Sequence, residues 1–260
     1  MPAVSARAAV LKLLAAIVGG LVLLYLGACL LLWNNQRSYL YFPTRARLPS
    51  VQVEVLTRDG LQVLASVEPR PGADAVLYFG GNAEEVSASG KASASAGTEA
   101  AIYALHYRGY GGSQGEPSEP ALVGDALALF DRVHSGHPRI VVVGRSLGSG
   151  IAVQVAAARP ATRLVLVTPY DSIVAMAAEQ FPLFPVSWLV QDRYDSAAIA
   201  PRITVPTTLV VASGDRVIAA AHSAALAREF APGVARVVVL AGAGHNDIAG
   251  HPGYIGALTH

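Results

Sequence analysis

The sequence predicts an α/β fold: a mostly parallel sheet with helices on both faces and a short cap, preceded by an N-terminal transmembrane helix. Three observations carry this expectation. Short, continuous apolar runs recur along the chain, the pattern of strands that are buried on both faces. Helix-compatible stretches lie between them, and strand then helix, repeated, builds parallel strands joined by right-handed crossovers. Ahead of both, Leu13 to Trp33 contains no charged residue, and roughly 20 apolar residues suffice for a helix to cross the hydrocarbon core.

That first run divides the chain into an anchor over 1–33, a connector over 34–49 and a catalytic-sized domain over 50–260. Arg7 and Lys12 precede the run and Arg37, Arg45 and Arg47 follow it, so the basic residues that normally orient a span are almost balanced and leave its direction open. A cleaved signal peptide and a lipoprotein signal ending at Cys29, after Leu26-Gly-Ala, are the competing readings. Against both, Leu30 to Trp33 continues the apolar run past the cleavage site, and Trp33 suits a membrane interface. The expectation is a single-pass anchor whose partner is the bilayer through residues 13–33.

In the domain, Val51–Val55 and Leu61–Val67 alternate like half-buried antiparallel strands, with Arg58-Asp-Gly60 as their turn. Six apolar runs follow: Ala75–Phe79, Ala101–Leu105, Ile140–Val143, Leu164–Val167, Thr208–Val211 and Arg236–Leu240. Helical stretches are expected over 84–96, 121–134, 148–158 and 219–230. The segment from about 170 to 206 breaks the rhythm with Phe181-Pro-Leu-Phe-Pro185 and Trp188, which predicts an ordered cap over the site. Nineteen basic residues balance eighteen acidic ones, a formal charge of +1 without a long basic run, which argues against nucleic acid as a partner. Cys29 is the only cysteine, so one chain can form neither a disulfide framework nor a thiolate metal site.

In such a sheet the ligand site lies beyond the carboxyl ends of the strands, and that rule selects the residues. Gly144-Arg-Ser-Leu-Gly148 fits G-x-S-x-G between a strand and a helix, the turn that presents Ser146 as a nucleophile. A serine hydroxyl needs a base and a group to orient that base, expected in the order serine, acid, histidine. Asp215 and His245 lie just past the last two strands, in glycine-containing loops. Asp215 as an ordinary turn aspartate is the alternative, and Asp171, after the preceding strand, is the reserve acid. His222 is placed in a helix and His134 and His137 at a helix-to-strand turn, all as surface residues; His106 lines the site without being its base. The oxyanion donors are expected to be the backbone N–H of Leu147 and one from the loop Gly80-Gly-Asn-Ala83. Asn82 also reads as a helix N-cap there.

Together, Tyr39-Leu-Tyr-Phe-Pro43, Phe79-Gly-Gly-Asn-Ala83, Tyr107-Arg-Gly-Tyr-Gly-Gly-Ser113, Gly144-Arg-Ser-Leu-Gly-Ser-Gly150, Gly214-Asp215 and Gly244-His-Asn-Asp247 resemble the α/β-hydrolase superfamily. Within it they are most similar to the membrane-anchored group of Bem46-like hydrolases and the α/β-hydrolase domain-containing proteins 13 and 17. The resemblance implies Ser146, Asp215 and His245 as a catalytic triad, with Asn82 and Leu147 as oxyanion donors. It also exposes a departure: related sequences usually carry His-Gly-Asn where this one has Gly80-Gly-Asn82, which predicts a less firmly held oxyanion loop.

The expected activity is that of a membrane-anchored serine hydrolase acting on carboxylic esters or thioesters, with a lipid or an acylated protein as substrate and with no cofactor or metal. A serine peptidase on the same fold and a non-catalytic membrane scaffold are the alternatives.

Overall fold

A computed structural model describes residues 2–45, 52–87 and 99–259, with side chains from Ala9 onward. The first element, α1 (Pro2–Leu40), runs for 39 residues. It is long and apolar enough to cross a membrane, with a mean hydropathy of 2.5 in its most apolar window. The helix continues seven residues beyond Trp33, so the first part of the expected connector is helical and ends only at Leu40. Residues 46–49 of that connector lie outside the described residues.

Eight strands form one sheet: β1 (Gln52–Arg58), β2 (Leu61–Glu68), β3 (Asp74–Phe79), β4 (Ala101–Leu105), β5 (Arg139–Arg145), β6 (Arg163–Val167), β7 (Thr207–Ala212) and β8 (Ala235–Leu240). Their order is β1-β2-β4-β3-β5-β6-β7-β8. The first two pair antiparallel, as alternation predicted. Asp59 and Gly60 turn between them with φ of 53° and 74°, the left-handed pair of a type I′ hairpin. Also antiparallel is β2 against β4, while all pairs from β4 to β8 are parallel. The apolar runs are continuous because the central strands face helices on both sides: Ala75, Leu77 and Phe79 enter one core cluster, Val76 and Tyr78 the other.

The helices flank this sheet: α2 (Glu119–His134), α3 (Leu147–Ala158), α4 (Ile173–Gln180), α5 (Val186–Leu189), α6 (Ser196–Ile199), α7 (Ala220–Glu229) and α8 (Tyr254–Thr259). Ser118 caps α2 by accepting from the Ala121 N–H, with Pro120 in its first turn. The helix expected over 84–96 lies mostly outside the described residues. The expected cap contains α4, α5 and α6, and α4 and α5 have no buried residue.

Tyr107 to Ser113 form a tight loop after β4. Buried Arg108 grips Asp125 of α2 with two hydrogen bonds of 2.8 Å and reaches Asp59 at 2.6 Å, tying the first hairpin, the loop and α2 together. His106 is buried at the base of this loop, 2.7 Å from Ser66 Oγ, and burial holds its pKa below the usual imidazole value. It supports the loop and is not exposed to a ligand.

Candidate active site

Ser146 sits between β5 and α3 with φ 50° and ψ −120°, a conformation that L-residues adopt only where the surroundings impose it. Two glycines make the turn possible. A Cβ on Gly148 would overlap the Phe79 carbonyl, and one on Gly144 would press on the backbone of Gly148 and on Ala152. The Ser146 N–H donates to Val167 O at 2.9 Å and Ser149 Oγ donates to Ser146 O at 2.6 Å, so the strained turn is bonded on both sides.

The structure brings the three residues singled out from the sequence into one line. His245 Nε2 is 3.0 Å from Ser146 Oγ, and His245 Nδ1 is 2.7 Å from Asp215 Oδ2. The Asp215 side chain is 2% exposed, so its charge requires partners. They are present: its other oxygen accepts from the N–H groups of Val217 and Ile218, both at 2.8 Å. These turn bonds unite the two readings of Asp215, because the same carboxylate shapes its loop with one oxygen and orients His245 with the other. With Nδ1–H donated to Asp215, Nε2 is free to accept the serine proton.

Asp171 does not join this line. It lies 2.9 Å from Nδ1 of His222, whose Nε2 is 3.3 Å from Glu179. His222 is therefore buried against the cap, and its expected surface position is corrected: α7 packs its His222 face inward, where two carboxylates occupy both ring nitrogens. His134 is half-buried and stacks on Phe130, and half-buried His137 bonds the Gly72 carbonyl at 2.9 Å, so neither is simply exposed.

The loop carrying Gly80 is held more firmly than its missing histidine predicted. Tyr107 donates to Gly80 O at 2.7 Å. Glu84 accepts from Gly81 N–H at 2.6 Å, from Tyr78 OH at 2.7 Å and from Arg145 Nη1 at 2.9 Å. Through its other terminal nitrogen Arg145 reaches the His245 carbonyl at 3.0 Å. One carboxylate and one guanidinium thus connect the oxyanion loop, the nucleophile turn and the histidine loop. A Cβ at Gly80 would lie 2.5 Å from Val86 Cγ1, so a side chain there would require Val86 to move.

Asn82 does not cap a helix. Its Oδ1 accepts from Phe42 N–H at 2.9 Å, Tyr110 OH at 2.8 Å and its neighbour Ala83 N–H at 3.1 Å, and its Nδ2 donates to Leu40 O at 2.7 Å. The side chain fastens the end of α1 to the loop. With Gly81 N–H engaged by Glu84, the backbone N–H groups of Asn82 and Leu147 have no partner among the described residues. Helix α3 begins at Leu147 and aims its first N–H groups toward the same end of the sheet.

Glu84 and Arg145 were not singled out from the sequence, although a signal was present. Arginine inside a turn expected to be buried requires a carboxylate nearby, and Glu84 follows the loop it must touch.

A mostly parallel sheet with a glycine-flanked serine turn at its carboxyl edge is the α/β-hydrolase scaffold, and comparison with known proteins agrees on that fold. A family model described as "Serine aminopeptidase, S33" matches residues 74–195. An uncharacterised protein of Mycobacterium tuberculosis, Rv2307c, is 32% identical over 237 residues, covering 85% of this chain and 84% of that protein. The α/β hydrolase domain-containing protein aho-3 of Caenorhabditis elegans is 32% identical over 161 residues, 60% of this chain and 47% of that protein. A solved hydrolase from Pseudomonas aeruginosa has the same fold, with a TM-score of 0.64 at 20% identity, over 81% of this chain and 98% of that one. The chain belongs to the α/β-hydrolase superfamily.

Proposed function

We propose that this hydrolase is a membrane-anchored serine esterase or thioesterase that works through an acyl-enzyme. The alignment of Ser146 Oγ, His245 Nε2 and Asp215 Oδ2 carries the proposal. Ser146 Oγ attacks the acyl carbon while His245 Nε2 takes its proton, and the imidazolium is steadied by Asp215. The carbonyl oxygen, now negative, accepts from the N–H groups of Asn82 and Leu147. His245 then protonates the departing alkoxide or thiolate. Water, deprotonated by His245, attacks the acyl-serine, and the acid leaves with Ser146 restored.

Anchoring rests on α1. Tyr25, which precedes the cleavage site of either signal reading, donates to Leu183 O of the cap at 2.9 Å, and Phe184 stacks on its ring. Arg37 pairs with Asp192 at 3.0 Å. These contacts support a helix retained in the working protein.

A serine-reactive fluorophosphonate tests the nucleophile. Wild type labels and Ser146→Ala does not; equal labelling would reject the assignment. The description of the matching family model favours a peptidase as the second reading. Faster turnover of aminoacyl amides than of acyl esters would establish it in place of the first.

A further inference from the structure

A cavity of about 400 Å³ lies between α1 and the cap. Leu32, Tyr39 and Leu40 from α1, and Met176, Phe181 and Leu189 from the cap, form much of its wall. Two of the polar groups of its lining, Gln36 and Asp192, already have partners in the protein. Gln36 bonds the carbonyls of Trp33 and Leu189 and the N–H of Gln191. The two carboxylate oxygens of Asp192 accept from Arg37 Nε and Glu119 N–H. The space therefore offers few hydrogen bonds to a polar molecule and suits an apolar chain.

The depth of the cap's tip follows from α1. Its apolar run ends at Trp33, before Asn34-Asn-Gln-Arg37. Tyr25 lies eight residues earlier, which at the helical rise is about 12 Å. The cap is bonded at that level, through Leu183 O and the ring of Phe184. With Trp33 at the interface, the tip of the cap reaches about 12 Å into a leaflet whose hydrocarbon is about 15 Å deep. The cap is built for such a place. From Phe181 to Val190 it has no charged residue, and Leu183 and Trp188 are 80% and 87% exposed.

We infer that the tip of the cap is immersed in the leaflet beside α1 and that the cavity, whose α1 wall runs from Leu32 to Leu40, holds one fatty acyl chain drawn up from a lipid of that leaflet. This rests on reading α1 as a span, not on the triad, none of whose residues lines the cavity. The cavity nevertheless adjoins the site. Leu40 accepts from Asn82, and a Cβ on the neighbouring Gly81 would lie 3.4 Å from Ser146 Cβ. A chain in the cavity is held beside the loop that borders the nucleophile.

Two measurements on the full-length chain in phosphatidylcholine vesicles test the inference. In the first, Ser146→Ala is illuminated with a phosphatidylcholine carrying a diazirine on one acyl chain. Label is expected on Met176, Ala177 and Phe181, and it is lost when Ala177→Trp fills the cavity. Label confined to α1 residues such as Leu23 and Leu31 would overturn the inference. In the second, which leaves the cavity untouched, Trp188 is the only tryptophan of Trp33→Phe, and lipids brominated along the acyl chain are expected to quench it. If Trp33, alone in Trp188→Phe, is quenched while Trp188 is not, the anchor stands and the immersed cap is wrong; if neither is quenched, both fail. The nucleophile is absent from the first test and irrelevant to the second, so the serine hydrolase reading stands or falls separately, by fluorophosphonate labelling.

Discussion

The catalytic edge and the cap solve opposite problems with opposite means. Around Ser146, charged groups are buried and matched: Asp215 has three hydrogen-bond partners, and Glu84 holds Arg145, Tyr78 and Gly81 together. In the cap apolar side chains are exposed, and it is held to α1 by a few hydrogen bonds and the Arg37–Asp192 pair. Buried polar networks fix geometry because every missing bond is costly. An exposed apolar surface fixes nothing alone and gains its energy from whatever covers it. Precision and adaptability are thus assigned to separate parts, and the join between them is short: the Asn82 side chain grips the end of α1, next to Gly81 beside Ser146.

The largest effect is expected at the precise edge. Asp215→Asn keeps the shape but loses the charge that orients and stabilises His245, and kcat on a short acyl ester should fall about 10⁴-fold. A loss under tenfold would show that another group orients the base. Next is Asp125→Ala, which leaves buried Arg108 without its bidentate partner. It should destabilise the fold by about 3–5 kcal/mol in thermal or urea unfolding. Glu84→Ala frees the Gly80 loop from Arg145, and displacement of the oxyanion donors should lower kcat about 10²-fold. The melting temperature should change far less than in Asp125→Ala; equal losses in both would make Glu84 a stability residue only.

The adaptable region should respond differently to substrate form. Leu183→Asp places a charge where the cap meets Tyr25, a change that at a bilayer centre costs about 2.5–3.5 kcal/mol. Hydrolysis of a long-chain ester in vesicles should drop more than hydrolysis of a short ester in water; equal drops would remove the distinction between the two regions. The smallest effect concerns His106. Burial depresses its folded pKa below the ordinary 6.5, so the unfolded chain binds the proton more readily. The stability gained from neutral His106 is complete above about pH 6.5 and is lost as the pH falls toward the folded value. His106→Gln should flatten that part of the stability profile, and an unchanged profile would assign the acid sensitivity to other groups.

Legibility in the sequence followed the range of the physics involved. Strand positions were readable because burial on both faces demands runs such as Ile140 to Val143, and the hairpin because Asp59-Gly60 admits a left-handed turn. The same rules pointed to Ser146, Asp215 and His245, each placed at a strand end by local pattern and chain order. Where a side chain has two feasible partners, local pattern fails. Asp171, the reserve acid, follows a strand as Asp215 does, and its pairing with His222 became visible only in the packing, which gives Asp215 to His245.

What the sequence determined by itself, then, is what periodicity, turn chemistry and run length encode: the α/β architecture, the nucleophile turn, and an apolar helix able to cross a membrane. What only the tertiary structure decided are contacts between residues far apart in the chain. Glu84 braces the Gly80 loop by reaching Arg145, 61 residues away. Asn82 joins the loop to α1, and the cap lies along the apolar helix 158 residues before it. Such partnerships depend on how the chain closes in space, because a hydrogen bond is set by distance and angle and not by separation along the sequence.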